Sequence, residues 1–182
     1  MAYIEKTIIV EEVIKDILSY LPKFKNSKGT EFNHTFSYGT NKHLIEYLKR
    51  VKDVYPLIWL EAPFTEDHEK RKVNINDISL IIAIESYNAE INEQSMDFSF
   101  KNILIPIFDN IKYLFNKTPK INIIDNNYNI VKFFNYGDVK SKNSTSVIRK
   151  YERESTATAV WDALKITFSC EINDKCVKLK KL

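Results

Sequence analysis

The chain has 182 residues, of which 44% are hydrophobic and 28% are charged, and these values are ordinary for a globular protein of one domain. They exclude an intrinsically disordered chain, a collagen-like fibre and a small scaffold held together by disulfides. The formal net charge of +3 is too small to indicate nucleic-acid binding by itself, and no stretch of about 18 apolar residues predicts a membrane span.

The first half of the chain predicts two helices and two strands. Residues 8–21 carry apolar side chains at steps of three and four, which predicts an amphipathic helix. A second helix is predicted from residue 40 or 41 to about residue 52. Strands are predicted over 55–60 and 73–86, and the second is expected to be central because both of its faces are apolar.

The second half predicts one helix and further strands. Helical spacing runs through 98–116 with Pro106 inside it, so this helix either begins near Pro106 or kinks there. Strands are predicted on either side of the Asp125-Asn-Asn turn and over 158–171, and a short closing strand over 175–179. In the strand 158–171, alternating residues form two apolar sides, Val160, Leu164, Ile166, Phe168 and Cys170 on one and Trp161 and Ala163 on the other.

These elements predict a single α+β domain over residues 1–182. Helices and strands do not alternate regularly, which favours a mostly antiparallel sheet with two or three helices packed on one face. Long polar stretches near 23–39, 62–72 and 137–156 are interpreted as extended loop arms. The first also permits a short strand over 32–38, where bulky and small residues alternate, and the second also fits a hairpin connection. Loops of this length in a compact domain usually have a function or order on assembly.

Acidic residues on the strongest strand bring a metal-dependent nuclease into consideration. Asp77 precedes Glu85, but the lysine expected two residues after such a glutamate is missing. The alternative is that Glu85 simply ends a core strand at the solvent.

Histidines and cysteines do not show metal-ligand spacing either. His34, His43 and His68 lack a histidine partner at helical spacing, and Cys170 and Cys176 lack the paired spacing of a zinc site. We expect one buried and one surface thiol in a reducing environment. The residues therefore predict no catalytic group, no cofactor and no metal site.

A basic stretch from residue 139 to residue 151 is the strongest candidate for a binding function. It contains four cations and no acidic residue, and the cations are Lys140, Lys142, Arg149 and Lys150. One interpretation is a solvated loop, since charge runs usually lie on the surface. The other is a protruding loop that contacts a partner subunit or DNA, through phosphate contacts that do not depend on sequence.

Consecutive apolar residues indicate a second kind of surface. Phe133, Phe134 and Tyr136 cannot all face inward on a strand, so an apolar residue is expected on an outer face that could contact another chain. The same argument applies to Leu57, Ile58 and Trp59 if their strand lies at a sheet edge.

Four segments give the chain a resemblance to tailed-phage connector, tail-terminator and tail-completion proteins. They are Tyr55-Pro-Leu-Ile-Trp-Leu-Glu-Ala-Pro-Phe, Asp77-Ile-Ser-Leu-Ile-Ile-Ala-Ile, Asn102-Ile-Leu-Ile-Pro-Ile-Phe and Val160-Trp-Asp-Ala-Leu-Lys-Ile-Thr-Phe. The chain is most similar to the ring proteins at the neck of crAss-like phages, whose AT-rich genomes also suit its abundant Ile, Asn and Lys.

The resemblance implies a virion structural protein, made in the host cytoplasm, without catalytic activity. It implies a six-fold or twelve-fold ring of identical subunits at the head–tail junction, which contacts portal, neck or tail proteins and surrounds the DNA channel. No membrane partner is expected. A nucleic-acid-binding accessory protein that uses the basic stretch 139–151 is the alternative.

Overall fold

The computed structural model describes residues 8–25, 31–50, 56–69, 71–85, 96–136 and 161–173, with the side chains at 49–50 and 135–136 excepted. Its helices are α1 (Val10–Leu18), α2 (Asn41–Arg50), a π-helix (Met96–Leu104) that continues into α3 (Ile105–Lys117), and a short 3₁₀ turn (Ile124–Asn126). The change from π to α winding falls at Pro106, which lacks the N–H that would continue the hydrogen-bond ladder. The α-helix thus begins beside Pro106, as one of the two sequence interpretations expects. In the part of the chain that the structure describes, no helix has the length and apolar character to cross a membrane.

The strands form one large sheet and a small two-stranded one. Their bounds are β1 (Phe24–Lys25), β2 (Glu31–Phe32), β3 (Thr35–Gly39), β4 (Leu57–Glu61), β5 (Thr65–Glu69), β6 (Lys72–Glu85), β7 (Ile121–Ile123), β8 (Asn129–Tyr136) and β9 (Trp161–Asn173). The large sheet has the order β3-β4-β6-β9, with β5 also on β6, and β7 and β8 both on β9. Every described pair in it is antiparallel except β3 with β4, which α2 connects as a βαβ unit. The predicted α+β class with a mostly antiparallel sheet is confirmed.

Two long strands, β6 and β9, carry the sheet. They pair with each other from Lys72↔Asn173 to Glu85↔Trp161, with a bulge between Ile75 and Ile78. On its other side β6 pairs with β4 and then β5, while β9 pairs with β8 and then β7. Strands β7 and β8 flank the predicted turn, but they lie end to end along β9 and not side by side. The turn is made by residues of positive φ, Asp125 at 54° and Asn126 at 49°.

Alternation along the strands divides the buried residues into two cores. Ile58, Leu60 and the even-numbered apolar residues of β9 pack with α1, the π-helix and α3. Leu57, Trp59 and Trp161 pack on the opposite face with Leu44 of α2. Two helices, α1 and α3, therefore pack on one face of the sheet, as predicted, and α2 packs on the other face. This second core buries Leu57, whose strand is not at a sheet edge, so the expectation that Leu57 faces another chain was wrong. Phe133 is half-buried against the same core, and its contact with another chain stays a prediction.

Two of the three predicted loop arms contain strands. The range 23–39 includes β1, β2 and β3, and 62–72 includes β5, which pairs with β6 as a hairpin. Strand β5 lacks an apolar alternation because most of its residues are exposed, and backbone pairing with β6 defines it. The third arm, 137–156, and the predicted closing strand 175–179 lie outside the described residues.

Candidate functional site

One transverse row of the sheet is buried in its middle and exposed at both ends. The row runs Tyr38↔Leu60↔Leu80↔Ile166↔Ile130 across β3, β4, β6, β9 and β8. Its three inner residues are at most 1% exposed, whereas Tyr38 is 56% exposed and Ile130 is 40% exposed. Apolar side chains that lie in register with a core, yet reach solvent, indicate that the sheet is open at both edges.

The first open edge is β8. Its inner side pairs with β9 from Asn129↔Thr167 to Tyr136↔Trp161, and its outer side has no partner strand among the described residues. Ile130 and Val131 are consecutive, so they point to opposite faces, and both are at least 40% exposed. A sheet edge with exposed β-branched residues presents both free backbone groups and apolar surface to another strand.

The second open edge is β3, at the far end of the sheet. It pairs with β4 in parallel, and no described strand lies on its other side. Tyr38 is the exposed residue of this edge, while Phe36 is half-buried against the main core. The two edges therefore differ in sequence and in strand direction. We name β8 and β3 the open edges.

The sheet face beyond α2 is polar and internally paired. Lys165 contacts Glu61 at 2.5 Å, Ser79 and Thr167 share a hydrogen bond of 3.0 Å, and Lys72 donates to Glu171 at 2.9 Å. Hydrogen bonds to Glu171 and Glu69 raise the pKa of Lys72 above its usual value. These cross-strand contacts pair Lys165 with Glu61 and Lys72 with Glu171 within the chain.

A polar cavity of ≈ 580 Å³ lies beside β7 and the end of α3. Its lining includes Asn116, Asn122, Asn126 and Glu171. The Glu171 carboxylate accepts the hydrogen bond from Lys72 and is thus already engaged by a cation. Neutral amides and the Thr118 hydroxyl are the other polar side-chain groups of its lining.

The four predicted contact residues, Lys140, Lys142, Arg149 and Lys150, lie outside the described residues. The structure does locate the two residues that bracket their segment. Tyr136 ends β8, Trp161 begins β9, and the two are cross-strand partners. Glu85 pairs with Trp161 at the same end of the sheet. Glu85, Tyr136 and Trp161 therefore lie together at one end of the sheet.

The carboxylate pair considered for a nuclease is not assembled. Asp77 and Glu85 lie on the same strand, β6, eight positions apart, which corresponds to roughly 26 Å at the rise of a β-strand. Asp77 occupies the bulge with a φ of 54°, and its N–H donates to Ser169 Oγ at 3.2 Å. Among the residues that the structure describes, no group of His, Cys, Asp and Glu could hold a metal ion.

The three histidines lie on different segments, His34 between β2 and β3, His43 on α2 and His68 on β5. His34 is half-buried, and this burial lowers its pKa, although a hydrogen bond with the Leu18 backbone acts in the opposite direction. His43 lies on α2 beside Gly39. His68 contacts Glu66 at 2.6 Å on the exposed strand β5.

Cys170, which is buried, and Tyr128, which is half-buried, both have a raised pKa in the main core. Burial raises the pKa of the Cys170 thiol to about 12, and burial with the nearby Cys170 raises the pKa of Tyr128 to about 12. The expectation of a buried thiol is confirmed for Cys170, while Cys176 lies outside the described residues. Both groups remain neutral at physiological pH, which gives the thiol the character of a core residue.

Sequence reasoning did not single out Tyr38, Ile130 or Val131. The signal was available at Ile130 and Val131, because two consecutive apolar residues on a strand cannot face the same side. It was applied to Phe133 and Phe134 instead, which the two cores half-bury. Tyr38 carries no such signal, since its exposure follows from the position of β3 at the end of the sheet.

No protein-family profile matches the chain, and no curated protein matches it significantly.

Proposed function

We propose that this chain is a virion structural protein that forms an oligomeric ring at the neck or tail of a tailed phage, linking portal to tail around the DNA channel. The resemblance of its core segments to connector and tail-terminator proteins supports the place in the virion. The row that ends in exposed Tyr38 and Ile130 supports assembly, and it is the observation that carries the proposal.

A ring of identical subunits needs two different complementary surfaces on each copy. When the same patch meets itself, the contact closes as a dimer, whereas two unlike patches generate a ring if the rotation closes. The open edges β8 and β3 lie at opposite ends of one sheet, so each copy can use both at once. We expect six or twelve copies, with further contacts to portal, neck or tail proteins.

Particle composition and molecular mass test the proposal. We expect the chain in purified virions at a copy number that is a multiple of six, and ring-shaped particles of the purified protein by electron microscopy. A chain found only in the cytoplasm of infected cells, and monomeric at its highest soluble concentration, would contradict the proposal.

A nucleic-acid-binding accessory protein is the second candidate. It is favoured by the four cations between residues 139 and 151, where no acidic residue intervenes. Changing Lys140, Lys142, Arg149 and Lys150 to Ala should then abolish DNA binding measured by fluorescence anisotropy.

The matched control for this second candidate changes four exposed helical lysines to Ala, namely Lys42, Lys101, Lys112 and Lys117. The control removes the same charge elsewhere and should retain most of the affinity. Equal loss in both variants would indicate a general charge effect, and would remove the case for the basic stretch.

A further inference from the structure

The directions of the strands decide how two copies can join. Strands β3, β4 and β9 run one way, while β6 and β8 run the other way. If a second copy continues the sheet in the same orientation, its β3 lies beside β8 of the first copy and runs antiparallel to it. Antiparallel pairing is the slightly more stable arrangement per residue, and it needs no crossover connection.

We propose that the open edge β8 of one copy pairs with the open edge β3 of the next, as an antiparallel junction in which Ile130 lies opposite Tyr38. The partner is a second copy of this chain, and the inference rests on the proposed ring. The sheets of neighbouring copies then form one continuous sheet, with α1 and α3 of every copy on the same side of it.

The register follows from the transverse row. Tyr38 and Ile130 belong to the same row of paired residues, so both side chains point to the face that α1 and α3 cover. Extending the sheet without a shift places Ile130 of one copy directly opposite Tyr38 of the next. An aromatic residue opposite a β-branched residue is a stabilising cross-strand pair, and it would cover both exposed ends of the row.

The two edges cannot meet within one chain. Four strand spacings separate β3 from β8, which is roughly 19 Å at the usual distance between neighbouring strands. A disulfide needs Cα atoms about 4.4–6.8 Å apart. Any disulfide between positions 38 and 130 in a folded protein must therefore join two copies.

The test is oxidation of the variant Tyr38→Cys/Ile130→Cys with diamide, followed by denaturing electrophoresis without reductant. Both positions are exposed, so the variant keeps the core intact. We expect a ladder of covalent oligomers that ends at the ring size, and a return to monomer on reduction. Each single variant should stay monomeric, as should the parent protein with its own Cys170 and Cys176.

The matched control is Tyr38→Cys/Val131→Cys. Val131 is 43% exposed on the same strand, but it points to the opposite face of the sheet from Ile130. We expect its crosslinked fraction to be several-fold lower. Equal crosslinking in the two double variants would overturn the proposed register.

Other outcomes separate the junction from the ring itself. Covalent dimers of the single variant Ile130→Cys would indicate two copies of β8 facing each other, and would overturn the β8–β3 junction. Rings seen by electron microscopy without crosslinks at 38 and 130 would overturn the junction and leave the proposed function standing. Monomers at every concentration, without crosslinks, would overturn both.

Discussion

Tyr128 places a hydroxyl in the main core without a hydrogen-bond partner among the described residues. Its ring packs between Phe108 at 5.5 Å and Phe168 at 5.7 Å, measured between ring centroids. Phenylalanine would keep both ring contacts and remove the unsatisfied hydroxyl, whose burial costs free energy. We therefore expect Tyr128→Phe to raise the free energy of unfolding by about 1 kcal/mol in urea denaturation.

The control for Tyr128 is Tyr113→Phe, since Tyr113 is 46% exposed on α3. Its free energy of unfolding should change by less than about 0.5 kcal/mol. A loss of stability in Tyr128→Phe, with no change in the control, would mean that the Tyr128 hydroxyl makes a stabilising hydrogen bond after all.

His34 predicts a dependence of stability on pH. Burial lowers its pKa from the usual value of 6.5, so the folded protein favours the neutral ring. Between the lowered pKa and 6.5 the unfolded chain binds more protons, and the free energy of unfolding therefore falls as the pH falls through this window. Well above pH 6.5 the His34 ring is neutral in both the folded and the unfolded chain, so it adds no further dependence of stability on pH.

Urea denaturation of the parent and of His34→Gln, from about pH 8 to about pH 5, isolates this contribution. The variant differs from the parent only at residue 34, so a difference between the two curves belongs to His34. We expect the curve of the variant to fall less steeply below the usual histidine pKa. Parallel curves would show that His34 does not link folding to protonation.

At the scale of elements, Gly39 is the last residue of β3 and lies at the turn that leads into α2. Its φ of +146° is unfavourable for residues with a side chain, and a Cβ there would lie 3.1 Å from Trp59 Cζ2. Trp59 Nε1 also donates a hydrogen bond to the Gly39 carbonyl oxygen at 3.0 Å. We expect Gly39→Ala to lower the free energy of unfolding by about 1–3 kcal/mol, measured by thermal and urea denaturation.

Ser37→Ala is the control on the same strand, because Ser37 is not buried and has no positive φ. Its effect should stay within about 0.5 kcal/mol. If both substitutions had the same effect, the conformation and close contact of Gly39 would not limit stability.

Elements with a strong apolar alternation were predictable from the sequence. In β9, the even-numbered residues from Leu164 to Cys170 and the first two odd-numbered residues are apolar and buried, as their alternation predicts. Strand β6 is central, as predicted from its two apolar faces. Strand β5 was not recognised, since a strand made of Thr, Glu, Asp and His is defined by its backbone partner. The end-to-end placement of β7 and β8 depends on the left-handed residues Asp125 and Asn126, which a turn pattern does not specify.

The candidate site was less predictable, because it depends on which strands lie at the ends of the sheet. Leu57 and Ile58 were considered for an edge, yet β4 lies between β3 and β6 and buries both. Ile130 and Val131 have equally apolar side chains, and they stay exposed because β8 has a partner on one side only among the described strands. Strand order is a non-local property that local patterns do not contain.

At the scale of the whole molecule, ionic strength separates the two candidate functions. Pairing of the open edges depends on backbone hydrogen bonds and apolar contacts, which salt does not screen. The net charge of +3 makes copies repel one another weakly, and salt reduces that repulsion. We therefore expect the oligomeric fraction, measured by sedimentation velocity, to stay constant or to rise with salt.

DNA binding through the basic stretch would respond in the opposite direction. If Lys140, Lys142, Arg149 and Lys150 each neutralise one phosphate, the release of four counterions lowers the affinity roughly 100-fold between about 50 mM and about 200 mM salt. Fluorescence anisotropy with labelled duplex DNA measures this slope. Oligomers that dissociate with the same steep salt dependence would contradict edge pairing, because an assembly so sensitive to screening must be held by several charges, whereas Lys132 is the one charged residue of the two open edges.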